Sequence, residues 1–127
     1  MITTLAAIGM GGAFGAISRY GVNLAATHLI GHGFPWGTLT VNVAGSFVMG
    51  IMIALFAHFW QPPEALRLFL VTGFLGGFTT FSTFSLDIVT LFERGEFVSA
   101  FLYGSASVLL SIGALLTGMA LIRSFSY

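Results

Sequence analysis

The sequence predicts an all-α integral membrane protein with four transmembrane helices, the third of which is broken near its centre. Three observations support this fold class. Of the 127 residues, 57% are hydrophobic and only 6% are charged, whereas a soluble domain carries about 25% charged residues. Four apolar segments each exceed the roughly 20 residues that a helix needs to cross a bilayer. The connections between them are short, so we expect one four-helix domain over residues 1–127.

The composition also excludes several classes of function. Four Lys and Arg residues balance four Asp and Glu residues, so no basic patch for nucleic acid is present. The absence of cysteine excludes disulfides and thiolate metal sites. No Ser/His/Asp constellation, paired carboxylate or phosphate-binding loop is present, and we expect no enzymatic activity. The first segment lacks the features of a signal peptide and is expected to be retained, which with the short chain favours a prokaryotic inner membrane.

The four segments follow one another with little between them. The first runs from about Ile2 to Ile30 and is uncharged up to Arg19. The second spans roughly Phe34 to Trp60, the third about Glu64 to Phe92, and the fourth Phe97 to Ile122. Because each is long enough to cross the bilayer, the four segments are predicted to be the four spanning helices.

An unusual stretch, Gly73 to Phe84, lies inside the third segment. It holds three glycines, three threonines, one serine and four phenylalanines, with Leu75 as its only aliphatic side chain. The pair Gly76-Gly77 predicts a helix break, which at membrane depth is stable only where the freed backbone groups are buried or bind something. Freed carbonyls suit a hard cation such as sodium, and amides at the start of the next helix favour an anion.

Hydroxyl, amide and aromatic groups point to a path for a small polar ion. Phe81 and Phe84 are three residues apart and share a helix face, and ring edges carry partial positive charge. Polar side chains recur every four residues on the second and fourth helices. These two stripes are Thr38, Asn42 and Ser46, and Tyr103, Ser107 and Ser111. The alternative is that such groups join helices, each contributing about 0.6 kcal/mol; for Asn42 we favour the path.

Arg19 is a charged residue inside an apolar segment. A charge at mid-membrane costs about 2.5–3.5 kcal/mol on insertion scales, so the side chain is expected to face water or a partner. We favour a water-filled vestibule at a pore mouth. The alternatives are an arginine that snorkels to the interface and one that pairs with Asp87.

Assembly is indicated by small residues and by a weak charge bias. Gly11 and Gly15 form a GxxxG pair, as do Gly73 and Gly77, which favours close helix contacts. Four spans would place Arg67 and Arg123 on one side of the membrane and Arg94 on the other, a difference of about one residue by the positive-inside rule. Both an antiparallel dimer with dual insertion and a single orientation remain open on this evidence.

These motifs resemble the Fluc (CrcB) family of fluoride channels, which export fluoride from microbial cells. The resemblance covers all four helices. It depends on Gly-Ala-Ile-Ser-Arg-Tyr at 15–20, Gly-Thr-Leu-Thr-Val-Asn at 37–42 followed by Gly45-Ser46-Phe47, and Gly-Gly-Phe-Thr-Thr-Phe-Ser-Thr-Phe at 76–84. The last motif is long and chemically unusual, and is therefore the most specific of the three.

The resemblance implies an antiparallel dual-topology homodimer in the lipid bilayer, with two fluoride pathways at the subunit interface. It implies a structural sodium ion at the dimer centre, held by the backbone carbonyls of Gly76 and Thr79, and places Arg19 in the vestibule. The residues expected along the fluoride pathway are Asn42, Phe81, Phe84, Ser82, Thr83, Tyr103, Ser107 and Thr38.

Two other functions deserve comparison with a channel. A small proton-coupled multidrug exporter would share the size and the antiparallel dimer, but it needs a membrane-embedded carboxylate. No acidic residue precedes Glu64, and Asp87 is the only deep candidate. A membrane assembly subunit without transport activity would give no role to Asn42 or Arg19. Both alternatives are therefore less favoured than passive conduction of fluoride.

Overall fold

The computed structural model describes residues 1–126, and within that range all regular secondary structure is helical, with no strand. The four helices are α1 (Ile2–Leu29), α2 (Trp36–His58), α3 (Glu64–Glu93) and α4 (Phe97–Arg123). The predicted bounds differ from these by no more than two residues, which is the usual uncertainty at fraying helix ends.

Three of the described helices, α2, α3 and α4, are long and apolar enough to cross a membrane. The 28-residue α1 is also long enough to cross, but it is not among these three, because serine, threonine, asparagine, arginine and histidine interrupt its apolar residues. The multi-pass membrane class is therefore supported, and a fourth span formed by α1 remains a prediction.

Helical geometry changes several times along α3. After an α-helical start at Glu64–Arg67, the hydrogen bonding becomes π-helical over Leu68–Leu75 and returns to α-helical at Gly76–Phe78. Thr79 (φ −92°, ψ 157°) and Thr80 (φ −153°, ψ 125°) are extended, and the helix resumes over Phe81–Glu93. A π-helical segment is rare and is often associated with function.

The position of this interruption differs from the prediction. Gly76 and Gly77 are helical, with φ −62° and ψ −37° at Gly76, and the extended residues are Thr79 and Thr80. The Thr80 hydroxyl accepts a hydrogen bond from the Thr83 N–H at 3.2 Å and so caps the second half of α3. Threonine therefore supplies the break, because its side chain satisfies an amide at the start of the new helix.

The glycines of the two GxxxG pairs bring the backbones of α1 and α3 together. A Cβ atom added at Gly73 would lie 2.9 Å from the Gly11 Cα, and one added at Gly77 would lie 2.6 Å from the Gly12 carbonyl oxygen. A Cβ at Gly15 would collide with the Phe74 carbonyl. These glycines therefore make close helix contacts within one chain, where each pair contacts the helix that carries the other, and assembly stays a prediction.

Two further contacts complete the bundle. The backbones of α2 and α4 approach closely, since a Cβ at Gly118 would meet the Phe47 carbonyl and lie 3.1 Å from the Ile51 N atom. The second half of α3 packs on α4 through a buried cluster that contains Phe84, Leu91 and Tyr103. α3 therefore contacts α1 with its first half and α4 with its second half, and the interruption lies between these two packing surfaces.

We expect Gly11→Ala to disrupt the packing of α1 on α3. The alanine Cβ would meet backbone atoms of Phe69, Gly73 and Phe74, which can shift only if the helices separate. Overpacking of this kind costs about 1–3 kcal/mol or more. Gly9→Ala is the matched control, since nothing lies within 4 Å of a Cβ there. Thermal unfolding of both variants in detergent checks this; equal midpoints for the two would contradict the close approach.

Candidate functional site

A cavity of about 400 Å³ lies between α2, α3 and α4, beside the interruption in α3. It combines hydroxyl, amide and aromatic groups with aliphatic side chains. Its lining includes Asn42, Gly45, Ser46, Met49, Thr79, Thr80, Phe81, Phe84, Ser107, Val108, Ser111, Ile112 and Leu115. Four of the predicted path residues, namely Asn42, Phe81, Phe84 and Ser107, are thus brought together at one site.

Two serine hydroxyls on the α4 wall of this cavity have no hydrogen-bond partner among residues 1–126. They are the Oγ atoms of Ser107 and Ser111, one helical turn apart, and both are inaccessible to solvent. The large majority of buried polar side-chain atoms in proteins have a partner. Two such hydroxyls on one wall are therefore unpaired donors, which would reach an ion in the cavity if their side chains rotated about χ1.

Asn42 ties α2 to the interrupted segment through a pair of hydrogen bonds. Its Nδ2 donates to the Thr80 carbonyl at 3.0 Å, and its Oδ1 accepts from the Thr80 N–H at 2.8 Å. One carboxamide therefore satisfies both backbone polar groups of an extended residue. Nδ2 carries a second N–H, and Asn42 lines the cavity, so this group can donate to an anion while it holds Thr80.

The hydrogen bonds of Thr80 leave two carbonyls of α3 without their helical donors. A continuous α-helix would direct the Thr80 N–H at the Gly76 carbonyl and the Thr83 N–H at the Thr79 carbonyl. Instead, the Thr80 N–H is donated to Asn42 and the Thr83 N–H to the Thr80 hydroxyl. Carbonyl oxygens of this kind suit a hard cation, so the chemistry of Gly76 and Thr79 is compatible with a sodium ligand, and sodium binding stays a prediction.

Three aromatic rings follow one another across the site. The Phe81 and Phe84 ring centroids are 5.6 Å apart, and those of Phe84 and Tyr103 are 5.2 Å apart. Phe84 and Tyr103 are buried, whereas Phe81 exposes 77% of its side chain. The Tyr103 hydroxyl donates to the Asp87 carboxylate at 2.9 Å. The aromatic series therefore runs from the surface of the chain into its core.

A second cavity of about 310 Å³ lies towards the loop between α1 and α2. Its lining is more polar and includes Asn23, Thr27, His32, Thr38, Thr83, Asp87, Thr90 and Arg94. Thr38 and Thr83 therefore lie at this cavity and not at the one that contains Asn42. Tyr103 contacts both sites, because it packs on Phe84 and bonds to Asp87.

Four predicted site residues are not part of the lining of either cavity, namely Gly76 and Tyr103, whose positions are given above, and Arg19 and Ser82. Arg19 is half-buried, and its Nε donates to the Gly77 carbonyl at 3.0 Å. Ser82 is exposed, with its hydroxyl 3.4 Å from that of Thr80. The alternative pairing of Arg19 with Asp87 is not formed, since the Asp87 carboxylate accepts from Tyr103 and Arg19 donates to Gly77.

Thr80 is the residue of the site that the sequence did not single out. Its backbone bonds to Asn42, and its hydroxyl caps the second half of α3. A threonine just before a helical run is a known signal for a helix start. Here the signal was obscured by the preceding Gly76-Gly77 pair, which indicates a break on its own.

Known proteins of one family are similar to this chain over most of its length. The family model described as CrcB-like protein, Camphor Resistance (CrcB), matches residues 6–119. A protein of Rhodospirillum centenum named fluoride-specific ion channel FluC is 52% identical over 118 residues, which cover 93% of this chain and 94% of the relative. Proteins of the same name from Rhizobium etli (51%; 94% and 95% covered) and Agrobacterium fabrum (49%; 94% and 96% covered) are similarly close.

These relatives are named as ion channels, which confirms the expectation that the chain is not an enzyme. The match includes α2 and α3 in full and nearly all of α1 and α4, so it covers the glycine contacts and both cavities. The family resemblance inferred from the three motifs is confirmed as well. On the extent of the family match and on this identity, the chain belongs to the CrcB family.

Proposed function

We propose that this protein is a fluoride-selective channel that lets the ion leave the cytoplasm passively and so relieves fluoride toxicity. The observation that carries the proposal is the cavity beside the α3 interruption, which joins the Asn42 amide, the Phe81 and Phe84 rings and the unpartnered hydroxyls of Ser107 and Ser111. The printed name of the relatives, fluoride-specific ion channel, supports the choice of ion.

The chemistry of the lining suits a small, strongly hydrated anion. Moving an unpaired ion into an apolar medium costs tens of kcal/mol by Born arguments, so its water must be replaced in stages. The hydroxyls, the free N–H of Asn42 and the positive ring edges offer such replacements. A narrow path of this kind penalises larger halides. A negative-inside potential then drives the anion outward, at about 2.3 kcal/mol per charge per 100 mV.

The working unit in this proposal is an antiparallel dual-topology homodimer. Phe81 lines the cavity yet exposes 77% of its side chain, and the neighbouring Ser82 is exposed too, so one chain leaves this side of the site uncovered. A second copy would cover it. The nearly balanced arginines give little preference for one orientation, which is the condition for insertion in both directions, and the inner membrane is the proposed location.

Sodium is proposed as a structural ion at the dimer centre. The carbonyls of Gly76 and Thr79 would hold it, because their helical donors are directed elsewhere. The bound ion would supply positive charge next to the break.

Proton-coupled drug export is less well supported. Such an exporter requires a carboxylate inside the membrane that binds drug and proton in turn. Asp87 is the only acidic residue that is not at or beyond the end of a predicted span. That carboxylate accepts a hydrogen bond from the buried Tyr103 hydroxyl.

Halide efflux from liposomes that contain the purified protein separates the two functions. The channel proposal is supported if fluoride is lost rapidly without a proton gradient while loss of chloride is negligible. Proton-coupled drug uptake without fluoride efflux refutes the channel proposal.

Asn42→Asp is expected to slow fluoride efflux by roughly tenfold or more, equivalent to at least about 1.4 kcal/mol of added barrier. The carboxylate removes the donor to the Thr80 carbonyl and places negative charge beside the path. Efflux is compared at equal amounts of reconstituted protein that elutes at the wild-type size. A wild-type rate in this variant would remove Asn42 from the pathway.

Phe81→Ile and Phe84→Ile are both expected to reduce fluoride efflux, because isoleucine has no polarised ring edge. Phe84→Ile should also lower the unfolding midpoint, since Phe84 is buried against Tyr103 within one chain. Phe101→Ile is the control, because Phe101 is 72% exposed and lies outside the cavity lining. Normal efflux in both test variants would refute the aromatic path.

Replacement of sodium by a large organic cation is expected to reduce fluoride efflux or to dissociate the dimer. The measurements are fluoride efflux and the dimer fraction by size-exclusion chromatography, with sodium restored as the control. If neither quantity changes after extensive dialysis, the sodium proposal is wrong.

A further inference from the structure

The Arg19 side chain contacts the backbone next to the α3 interruption, not the lining of either cavity. Its Nε donates to the Gly77 carbonyl at 3.0 Å, across 58 residues of sequence, in a partly buried position. The larger cavity is lined by residues of α2, α3 and α4, and Arg19 belongs to α1. Its observed contact is therefore with the end of a helical segment.

This hydrogen bond replaces one that the break removes. In a continuous α-helix, the Gly77 carbonyl would accept the N–H of Phe81. Thr79 and Thr80 are extended, and Phe81 is the first residue of the next helical segment. The Phe81 N–H is therefore one of the first four N–H groups of a helix, which have no acceptor within that helix. An unsatisfied carbonyl at membrane depth is strongly unfavourable. The Arg19 Nε–H occupies the place of the Phe81 N–H.

The glycine packing explains why Arg19 reaches this carbonyl. A Cβ at Gly77 would lie 2.6 Å from the Gly12 carbonyl oxygen and 3.1 Å from the Ala16 N atom, so the α1 backbone lies against Gly77. Ala16 precedes Arg19 by about one helical turn.

Two side chains therefore hold the interrupted segment from two different helices. Asn42 of α2 bonds to both backbone groups of Thr80, and Arg19 of α1 bonds to Gly77. If the Arg19 bond were lost, the Gly77 carbonyl would regain its donor only if the chain at Thr79 and Thr80 became helical. That change would move Phe81 relative to Phe84 and would remove the geometry on which the Asn42 pair depends.

We propose that Arg19 is a positioning residue that keeps α3 open at Thr79 and Thr80 and thereby orients Phe81, and that it acts through the donor at Nε and not through its net charge. The effect on fluoride efflux rests on the proposed channel function. The effect on the backbone of residues 76–84 does not, because it follows from the hydrogen bond alone.

Three substitutions separate the donor from the charge. Gln places an amide nitrogen the same number of bonds from Cα as the Nε of arginine, so Arg19→Gln keeps a donor and removes the charge. Arg19→Met places a methyl group at that position and removes both. Arg19→Lys keeps the charge and moves the donor one bond further out. Purified proteins in detergent are compared with the wild type by hydrogen–deuterium exchange of residues 76–84, and reconstituted proteins by fluoride efflux.

We expect Arg19→Met to raise exchange in residues 76–84 by about three- to tenfold, as loss of one ordinary hydrogen bond implies, and to reduce efflux. Arg19→Gln should stay close to the wild type in hydrogen exchange, and Arg19→Lys should fall between Gln and Met. Near-normal values in Arg19→Lys with equal losses in Gln and Met would show that the charge is what matters. That pattern overturns the proposal, as do equal effects of all three or no effect of any.

The two readouts keep this test separate from that of the channel. If the wild type shows no fluoride efflux, the channel proposal fails, and the order of hydrogen exchange among the variants still decides the role of Arg19. If Arg19→Met cannot be purified, the comparison of Gln with Lys decides it alone, because the two hypotheses predict opposite orders.

Discussion

A break in a helix at membrane depth is stable only where the freed backbone groups find other partners, and Asn42 supplies two of them. Its carboxamide bonds to the N–H and to the carbonyl of Thr80. Without this pair, the extended conformation of Thr79 and Thr80 would leave polar groups unsatisfied in an apolar bundle. The cavity, the orientation of Phe81 and the availability of the Gly76 and Thr79 carbonyls all follow from the break that this pair stabilises.

The glycine contacts hold the α3 segment before the break in a defined position. Because the α1 and α3 backbones touch at Gly11 and Gly73, the first half of α3 is fixed against α1. The second half is fixed against α4 by the cluster around Phe84 and Tyr103. Two independently anchored half-helices hold the interruption at one place, and the groups that line the larger cavity face it from three helices.

Several features followed from the sequence because they depend on local chemistry. Apolar length and the scarcity of charge predicted the helical membrane class, and the GxxxG spacing predicted the close contacts that the structure has. The four-residue spacing of Ser107 and Ser111 placed them on one face, and both line the cavity with Asn42. These properties depend on side-chain type and helical periodicity, and neither needs knowledge of the neighbouring helix.

Other features depend on contacts between residues that are distant in the chain, and only the tertiary structure decided them. Glycine composition indicated a break at Gly76-Gly77, but both residues remain helical, Gly77 lies against the α1 backbone, and Thr79 and Thr80 are extended instead. Composition and residue spacing were enough to predict the membrane class, the family motifs and the polar faces. The tertiary structure decided which groups those faces meet: Asn42 bonds to Thr80, Arg19 to Gly77 and Tyr103 to Asp87. Such pairings depend on how helices approach one another, which local sequence does not encode.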